Sequence, residues 1–151
     1  MNFVLILAIC TVTIPGKPVD LTGIKCVVSG KPATTKYSSN YLKGKIYLDS
    51  RSSQLKFESE QKKYQFKANH QLVITGQYQQ YQCPVSQKPL PPKTRNETAI
   101  MGVKVWFCCQ TCASNFAGKK DSKINALFSP SQFGKVFHAV SDKVVARTSS
   151  R

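Results

Sequence analysis

The chain contains the same short segment twice, and this internal repeat constrains its fold more than any other feature. Residues 26–33 read Cys-Val-Val-Ser-Gly-Lys-Pro-Ala, and residues 83–90 read Cys-Pro-Val-Ser-Gln-Lys-Pro-Leu. The match continues downstream, where residues 44–48 align with residues 103–107. Because a repeat shows how many units a chain contains, we predict two related units, the first unit (residues 24–76) and the second unit (residues 77–141).

Both units give the same predicted order of elements. The Cys-x-x-Ser-x-Lys-Pro segment predicts a turn, because proline interrupts regular structure. A polar loop follows, seen best at residues 88–96, and then a short strand at residues 103–107 with alternating apolar side chains. A helix carrying Cys112 and Phe116 comes next and stops near Gly118. The predicted fold class is therefore α+β, with a cysteine turn, a short β-hairpin and a helix in each unit, packed as a pseudo-repeat.

Further helices are predicted in both units. In the first unit, one helix is expected to continue through Glu58 to about Leu72. At the C-terminus, the segment 129–132, Ser-Pro-Ser-Gln, supplies a cap, a first-turn proline and a capping-box glutamine for an additional helix. One face of that helix is predicted to carry Phe133, Val136, Phe137 and Val140. Residues 142–151 are predicted to form a flexible tail.

The N-terminus predicts export. An apolar run at residues 3–9 ends before Pro15 and Gly16, and its length suits a signal peptide (residues 1–16) but is too short to span a bilayer. A buried N-terminal strand is the alternative. No lipid anchor is expected on Cys10, because Ile9 is large where a lipoprotein processing site needs a small residue. We therefore predict a periplasmic or secreted protein without a transmembrane span after signal removal.

The charge is strongly positive, with 22 Lys and Arg against 7 Asp and Glu, giving a formal net charge of +15. Such an excess favours anionic partners, whether nucleic acid, acidic polysaccharide or a lipid surface. The basic residues are scattered along the chain and form no dense run, so no specific nucleic-acid contact is expected. A basic adaptor that binds an anionic polymer or a protein partner is therefore one alternative function.

Five cysteines follow the predicted signal peptide, and disulfide bonds are a poor explanation for them. Their number is odd, and three lie within five positions. Cys108 and Cys109 each lie about one helical turn before Cys112, near a helix N-terminus that stabilises thiolates. Soft thiolate ligands select Zn(II), Cu(I) or another heavy metal over magnesium or calcium. The candidate metal ligands are Cys83, Cys108, Cys112 and Cys109.

The fourth ligand of this predicted site is open. A structural zinc site needs four protein ligands, and Cys83, Cys108 and Cys112 provide three. Cys109 is one substitute, although neighbouring residues rarely point into the same tetrahedron. Ser86 lies where a Cys-x-x-Cys turn would have its second cysteine, but a hydroxyl is a weak ligand. A water molecule or an incoming ligand would leave a three-sulfur site that suits Cu(I).

The first unit lacks most of this ligand set. In the repeat alignment, Cys26 matches Cys83, but the other cysteine positions of the second unit are occupied by Asp49, Ser50 and Ser53. We therefore predict that the first unit is a degenerate copy that supports its neighbour, with Cys26 as an inert buried residue.

The cysteine pattern of the second unit resembles that of the TRASH/YHS-like family. These treble-clef-type modules have an early cysteine followed by Phe-Cys-x-x-x-Cys, which Cys83, Phe107-Cys108 and Cys112 match. The chain is similar to small exported bacterial proteins that carry such modules in tandem. The resemblance covers about Ile24 to Val140 and implies binding of zinc, copper or other heavy metals, for trafficking, sensing or resistance.

The sequence does not favour enzyme activity. It contains no Ser/His/Asp set, no phosphate-binding loop and no paired carboxylates that would support hydrolysis or group transfer. Thiol–disulfide exchange by Cys109 and Cys112 is a further alternative, although the βαβ setting of thioredoxin is not evident. The favoured function is an exported, non-catalytic protein with one soft-metal site in its second unit, serving a structural, buffering or trafficking role.

Overall fold

The computed structural model describes residues 19–91, 96–117 and 126–140. The predicted signal peptide, Cys10, the helix stop at Gly118 and the C-terminal tail lie outside these residues. The described part has a mixed α+β fold with small antiparallel sheets, which agrees with the α+β part of the prediction. Its elements are β1 (Thr34–Tyr41), β2 (Gly44–Leu48), α1 (Arg51–Ser59), α2 (Gln61–Ile74), β3 (Tyr78–Gln80), β4 (Asn96–Ile100), β5 (Val103–Phe107), α3 (Gln110–Ala117), α4 (Pro130–Val136) and β6 (Phe137–Ala139).

The two repeated segments form turns with the same backbone hydrogen bonds. In the first, the Cys26 N–H donates to the Lys31 carbonyl at 2.7 Å, and the Gly30 N–H donates to the Cys26 carbonyl at 2.9 Å. The equivalent bonds around Cys83 measure 2.9 and 2.8 Å. Gly30 and its counterpart Gln87 both adopt positive φ, 76° and 57°. Because only glycine enters this region at no steric cost, the turn imposes mild strain on Gln87.

A β-hairpin follows each turn, β1 with β2 and β4 with β5. The prediction of a polar loop before the strand is wrong in the first unit, where residues 34–41 form β1. Tyr41 is buried, and the buried Ser39 hydroxyl donates to Glu58 at 2.8 Å. The serine and asparagine residues of segment 34–41 made it resemble a loop. Its alternate side chains contact α1, and such tertiary packing overrides a weak strand propensity.

The long helix predicted for the first unit is two helices, α1 and α2. Glu60 separates them with a non-helical backbone, φ −125° and ψ 35°. The break allows Phe57 on α1 and Tyr64 on α2 to face the same core, where their ring centroids lie 6.3 Å apart. One straight helix would not place both the α1 and the α2 segments against the hairpin of β1 and β2.

The C-terminal helix α4 begins after Ser129 with Pro130 in its first turn, but Ser129 does not cap it. The Ser129 hydroxyl instead donates to the Ala126 carbonyl at 2.6 Å. The helix ends at Val136, so the predicted helical face is wrong for Phe137, which begins β6. This strand pairs antiparallel with β3, and the pairing supplies the backbone hydrogen bonds that a longer helix would have made.

Both units contribute to one apolar core. Phe128 of the second unit packs edge-to-face on Phe66 of α2, with ring centroids 5.9 Å apart, and stacks on Phe137. Asn69, which is 1 % exposed, accepts a bond from the Tyr41 hydroxyl at 3.1 Å and donates to the Phe128 carbonyl at 2.8 Å. Among the described helices, none is long and apolar enough to cross a membrane.

Candidate metal centre

Three cysteines from separate elements meet at one end of the second unit. Cys83 lies in the repeated turn, Cys108 follows β5, and Cys112 lies in the first turns of α3. Their Sγ atoms all lie within 4.8 Å of one another, and those of Cys108 and Cys112 are 3.7 Å apart. Two sulfurs bound tetrahedrally to one zinc ion at about 2.3 Å are about 3.8 Å apart. The spacing therefore matches that of thiolates sharing a metal ion.

The surrounding core explains why these segments meet. Phe107, the last residue of β5, is fully buried, and its ring lies 5.3 Å from that of Phe116 on α3. This contact folds the helix back along the strand that precedes it. Cys83 is also fully buried, beneath the turn that its own backbone closes.

Ser86 and Cys109 lie beside the three-sulfur group. The Ser86 hydroxyl is 3.3 Å from the Sγ of Cys108, in the position where a Cys-x-x-Cys turn would bring its second sulfur. The Cys109 Sγ lies 3.9 Å from that of Cys108, but Cys109 is exposed and is not part of the mutually close group. Of the four predicted ligands, the structure thus brings three together and places the fourth at the rim. No described cysteine forms a disulfide.

The pKa values of the clustered thiols diverge. Burial alone would raise the pKa of Cys83, but the backbone N–H groups of Ser86 and Cys108 and the Ser86 hydroxyl lower it to about 7. Burial, together with the thiols of Cys109 and Cys108 and the charge of Cys83, raises the pKa of Cys112 to about 12. The backbone N–H of Cys112 lowers the pKa of Cys109. The thiolate form is thus favoured at Cys83 and Cys109 and disfavoured at Cys112, and metal binding would require Cys112 to lose its proton as well.

The first unit contains a related pocket with oxygen in place of sulfur. Asp49 and Ser53 correspond to Cys108 and Cys112, and they lie around the buried Cys26. The Cys26 thiol, the Ser53 hydroxyl and then Ser29 lower the pKa of Asp49 to about 2. Its Oδ1 atom is buried without a partner at close hydrogen-bonding distance. In the first unit, a carboxylate and a hydroxyl thus take the places of two thiols.

Two glutamine side chains, for which no role was predicted from the sequence, hold strands in place. One of these strands is β5, which leads to the candidate metal site. Gln80 accepts a bond from the Trp106 N–H at 2.8 Å and donates to the Trp106 carbonyl at 2.7 Å. Gln71 makes the same pair of bonds to Tyr47, the counterpart of Trp106 in the first unit. Each amide thus bonds the backbone at the edge of its strand, β5 or β2, as a neighbouring strand would. Four of residues 77–82 are glutamines, but nothing in the sequence assigns any one of them to a particular strand.

Comparisons of the chain with models of known protein families, with curated proteins and with solved structures found no match.

Proposed function

We propose that this protein binds one soft metal ion through Cys83, Cys108 and Cys112. The convergence of their Sγ atoms to within 4.8 Å carries the proposal. A fully buried Cys83 beside two partly exposed thiols forms a pocket that is closed on the protein side and open on the other. Zn(II) is the first candidate, since it is the metal most often held by thiolates at a small structural turn. Cu(I) is the second, because three sulfurs without a fourth suit its lower coordination number.

We further propose that the second unit is a TRASH/YHS-like module in an exported, non-catalytic protein. The order of turn, hairpin and helix, with cysteines at the turn and at the start of α3, supports this assignment. In such a module the metal either holds the hairpin and α3 to the turn or is buffered and passed on. The first unit supports its neighbour through the shared aromatic core.

Metal analysis of the purified protein tests the proposal. Elemental mass spectrometry is expected to find one equivalent of zinc or copper in the parent protein. Cys83→Ser and Cys112→Ser are each expected to lose it, because two remaining thiolates bind a soft ion far more weakly. Cys26→Ser, which alters the equivalent turn of the first unit, is the matched control and should retain the metal. A parent protein that binds neither ion stoichiometrically would contradict the proposal.

A basic adaptor with a purely structural metal is the second candidate. The net charge of +15 favours it, and the ion pairs in the described part of the chain, Lys63–Glu60 and Lys104–Glu97, lie at the surface. Binding to a polyanion through lysines releases counterions, so the affinity should fall steeply with salt. Heparin affinity measured across a salt series tests this function, and weak binding at low ionic strength would exclude it.

A further inference from the structure

Cys109 differs from the other sulfurs of the site in its position. Its Sγ lies 3.9 Å from that of Cys108, within the distance that one bound ion can span, yet its side chain is exposed. Cys83 is fully buried, whereas Cys108 and Cys112 are partly buried. The site thus has one fully buried sulfur-bearing residue, Cys83, two partly buried ones and one that is exposed to solvent.

We propose that Cys109 is the transfer ligand of this site, through which a soft metal ion passes to and from a thiol-bearing acceptor. This inference rests on the proposed metal binding by Cys83, Cys108 and Cys112. The three inner sulfurs hold the ion, and Cys109 binds it transiently while one inner bond is exchanged.

The exchange is redox-neutral and balanced. Cys109 forms a metal–sulfur bond as one inner metal–sulfur bond breaks, and the released inner thiolate takes up the proton that Cys109 loses. Acceptor thiols then replace the remaining protein sulfurs one at a time, Cys109 last. Each acceptor thiol loses its proton as it binds the ion, and the protein thiolate released in exchange takes up that proton. The oxidation state of the metal does not change. An exposed thiol lowers the barrier because the acceptor need not reach the buried Cys83.

The surface around the site favours an acceptor that carries negative charge. Lys88 lies exposed in the turn that closes over Cys83, and the whole chain carries a net charge of +15. A positive field of this kind raises the encounter rate with anionic molecules. Glutathione, which combines a thiol with a net negative charge at neutral pH, is therefore the appropriate probe.

Transfer kinetics test the proposal. The zinc-loaded full chain is mixed with the chromogenic chelator 4-(2-pyridylazo)resorcinol, with and without glutathione, and chelator absorbance is followed over time. In the parent protein, glutathione is expected to accelerate zinc release. Cys109→Ser should keep one equivalent of zinc but lose this acceleration severalfold. Thr111→Ala, an exposed change on the same helical turn, is the matched control and should behave as the parent does.

The possible outcomes separate the two proposals. A parent protein without bound zinc or copper contradicts the proposed function itself. A parent that binds zinc, with equal glutathione acceleration in Cys109→Ser, overturns the transfer role alone. Loss of the bound zinc in Cys109→Ser would make Cys109 a resident fourth ligand and would also overturn it. Circular dichroism of the variant separates such a loss from misfolding.

Discussion

Asp49 and Cys108 occupy equivalent positions in the two units, but a carboxylate and a thiolate are stabilised by different partners. An ionised carboxylate is stabilised by nearby hydrogen-bond donors, and Cys26, Ser53 and Ser29 lower the pKa of Asp49 in this way, while its buried Oδ1 atom has no hydrogen-bond partner. A cluster of thiolates instead requires a soft cation. The first unit can therefore connect its turn to α1 through groups of its own chain, whereas the second unit would need the proposed metal ion to make the equivalent connection.

Replacing Asp49 with asparagine is expected to destabilise the first unit in a pH-dependent way. The pKa of Asp49 is lowered to about 2 from its ordinary value of 3.8, so its charge stabilises the folded state fully above about pH 4. That contribution is lost as the pH falls through 2. The difference in melting temperature between the parent and Asp49→Asn should therefore be largest near neutral pH and should shrink between about pH 4 and pH 2. A difference that stays constant over this range would show that the charge of Asp49 contributes nothing.

Replacing Ser86 with cysteine is expected to complete a four-sulfur site. The Ser86 hydroxyl lies 3.3 Å from the Cys108 Sγ, so a thiol at this position would face the same ion. Zinc affinity should rise by about tenfold or more, the scale on which changes around a metal site act. Cobalt(II) substitution measures this, because a tetrahedral four-sulfur site gives intense visible absorption. Ser29→Cys in the first unit is the matched control and should leave the spectrum of the second site unchanged.

At the scale of elements, β5 is positioned by a side chain as much as by its hairpin partner. Gln80 bonds both backbone groups of Trp106, two residues before Cys108. A strand that is bonded in this way cannot easily shift its register, because a shift would break both hydrogen bonds to Gln80. Gln80 on β3 therefore helps to fix the position of Cys108 relative to Cys83.

Gln80→Ala is expected to weaken metal binding without altering a ligand. The change removes three partly buried hydrogen bonds, two to the Trp106 backbone and one to the Gln82 carbonyl, which costs about 1–3 kcal/mol of stability. Positioning residues around metal ligands typically change affinity by about 10–100-fold. Competition titration with a zinc chelator measures the effect, with Gln65→Ala on α2 as the matched control. Unchanged zinc affinity together with an unchanged melting temperature would refute the role assigned to Gln80.

Local sequence signals predicted the elements that depend on local chemistry. The Cys-x-x-Ser-x-Lys-Pro turns, the alternating strand β5 and the proline at the start of α4 all follow from backbone rules that act within a few residues. The sequence also predicted that Cys83 would meet Cys108 and Cys112 if the strand folded back on the turn. Binding of a metal there remains a prediction.

Elements that depend on distant partners were not predictable. Residues 137–139 have the apolar spacing of a helix, but the open edge of β3, almost sixty residues earlier, makes them a strand. The break at Glu60 arises because α1 and α2 pack on the same hairpin. The pairing of Gln80 with Trp106 has no signature in either segment alone, since a glutamine in a linker normally faces solvent.

At the scale of the whole molecule, a buried amide links the two units. Asn69 on α2 contacts Tyr41 of the first unit and the Phe128 carbonyl of the second. Both partners are buried, so each would lose its hydrogen bond without access to water.

Asn69→Ala is therefore expected to lower the free energy of unfolding by about 1–3 kcal/mol. Chemical denaturation followed by tyrosine and tryptophan fluorescence measures the loss. Lys67→Ala, at an exposed position of α2, is the comparison and should cost less. An effect of Asn69→Ala no larger than that of Lys67→Ala would indicate that the amide does not hold the units together.

The pairing of β3 with β6 has a consequence for the order in which the chain assembles. β3 is synthesised almost sixty residues before β6, so their pairing forms only after β4, β5, α3 and α4 have been made. By then the first unit can already have formed the β1–β2 hairpin, helices α1 and α2, and the pocket around Asp49. In limited proteolysis, ribosome-bound chains truncated before Phe137 are expected to show early protection around β2 and continued cleavage near Tyr78. The first unit would then fold first, and the second unit would pack against it.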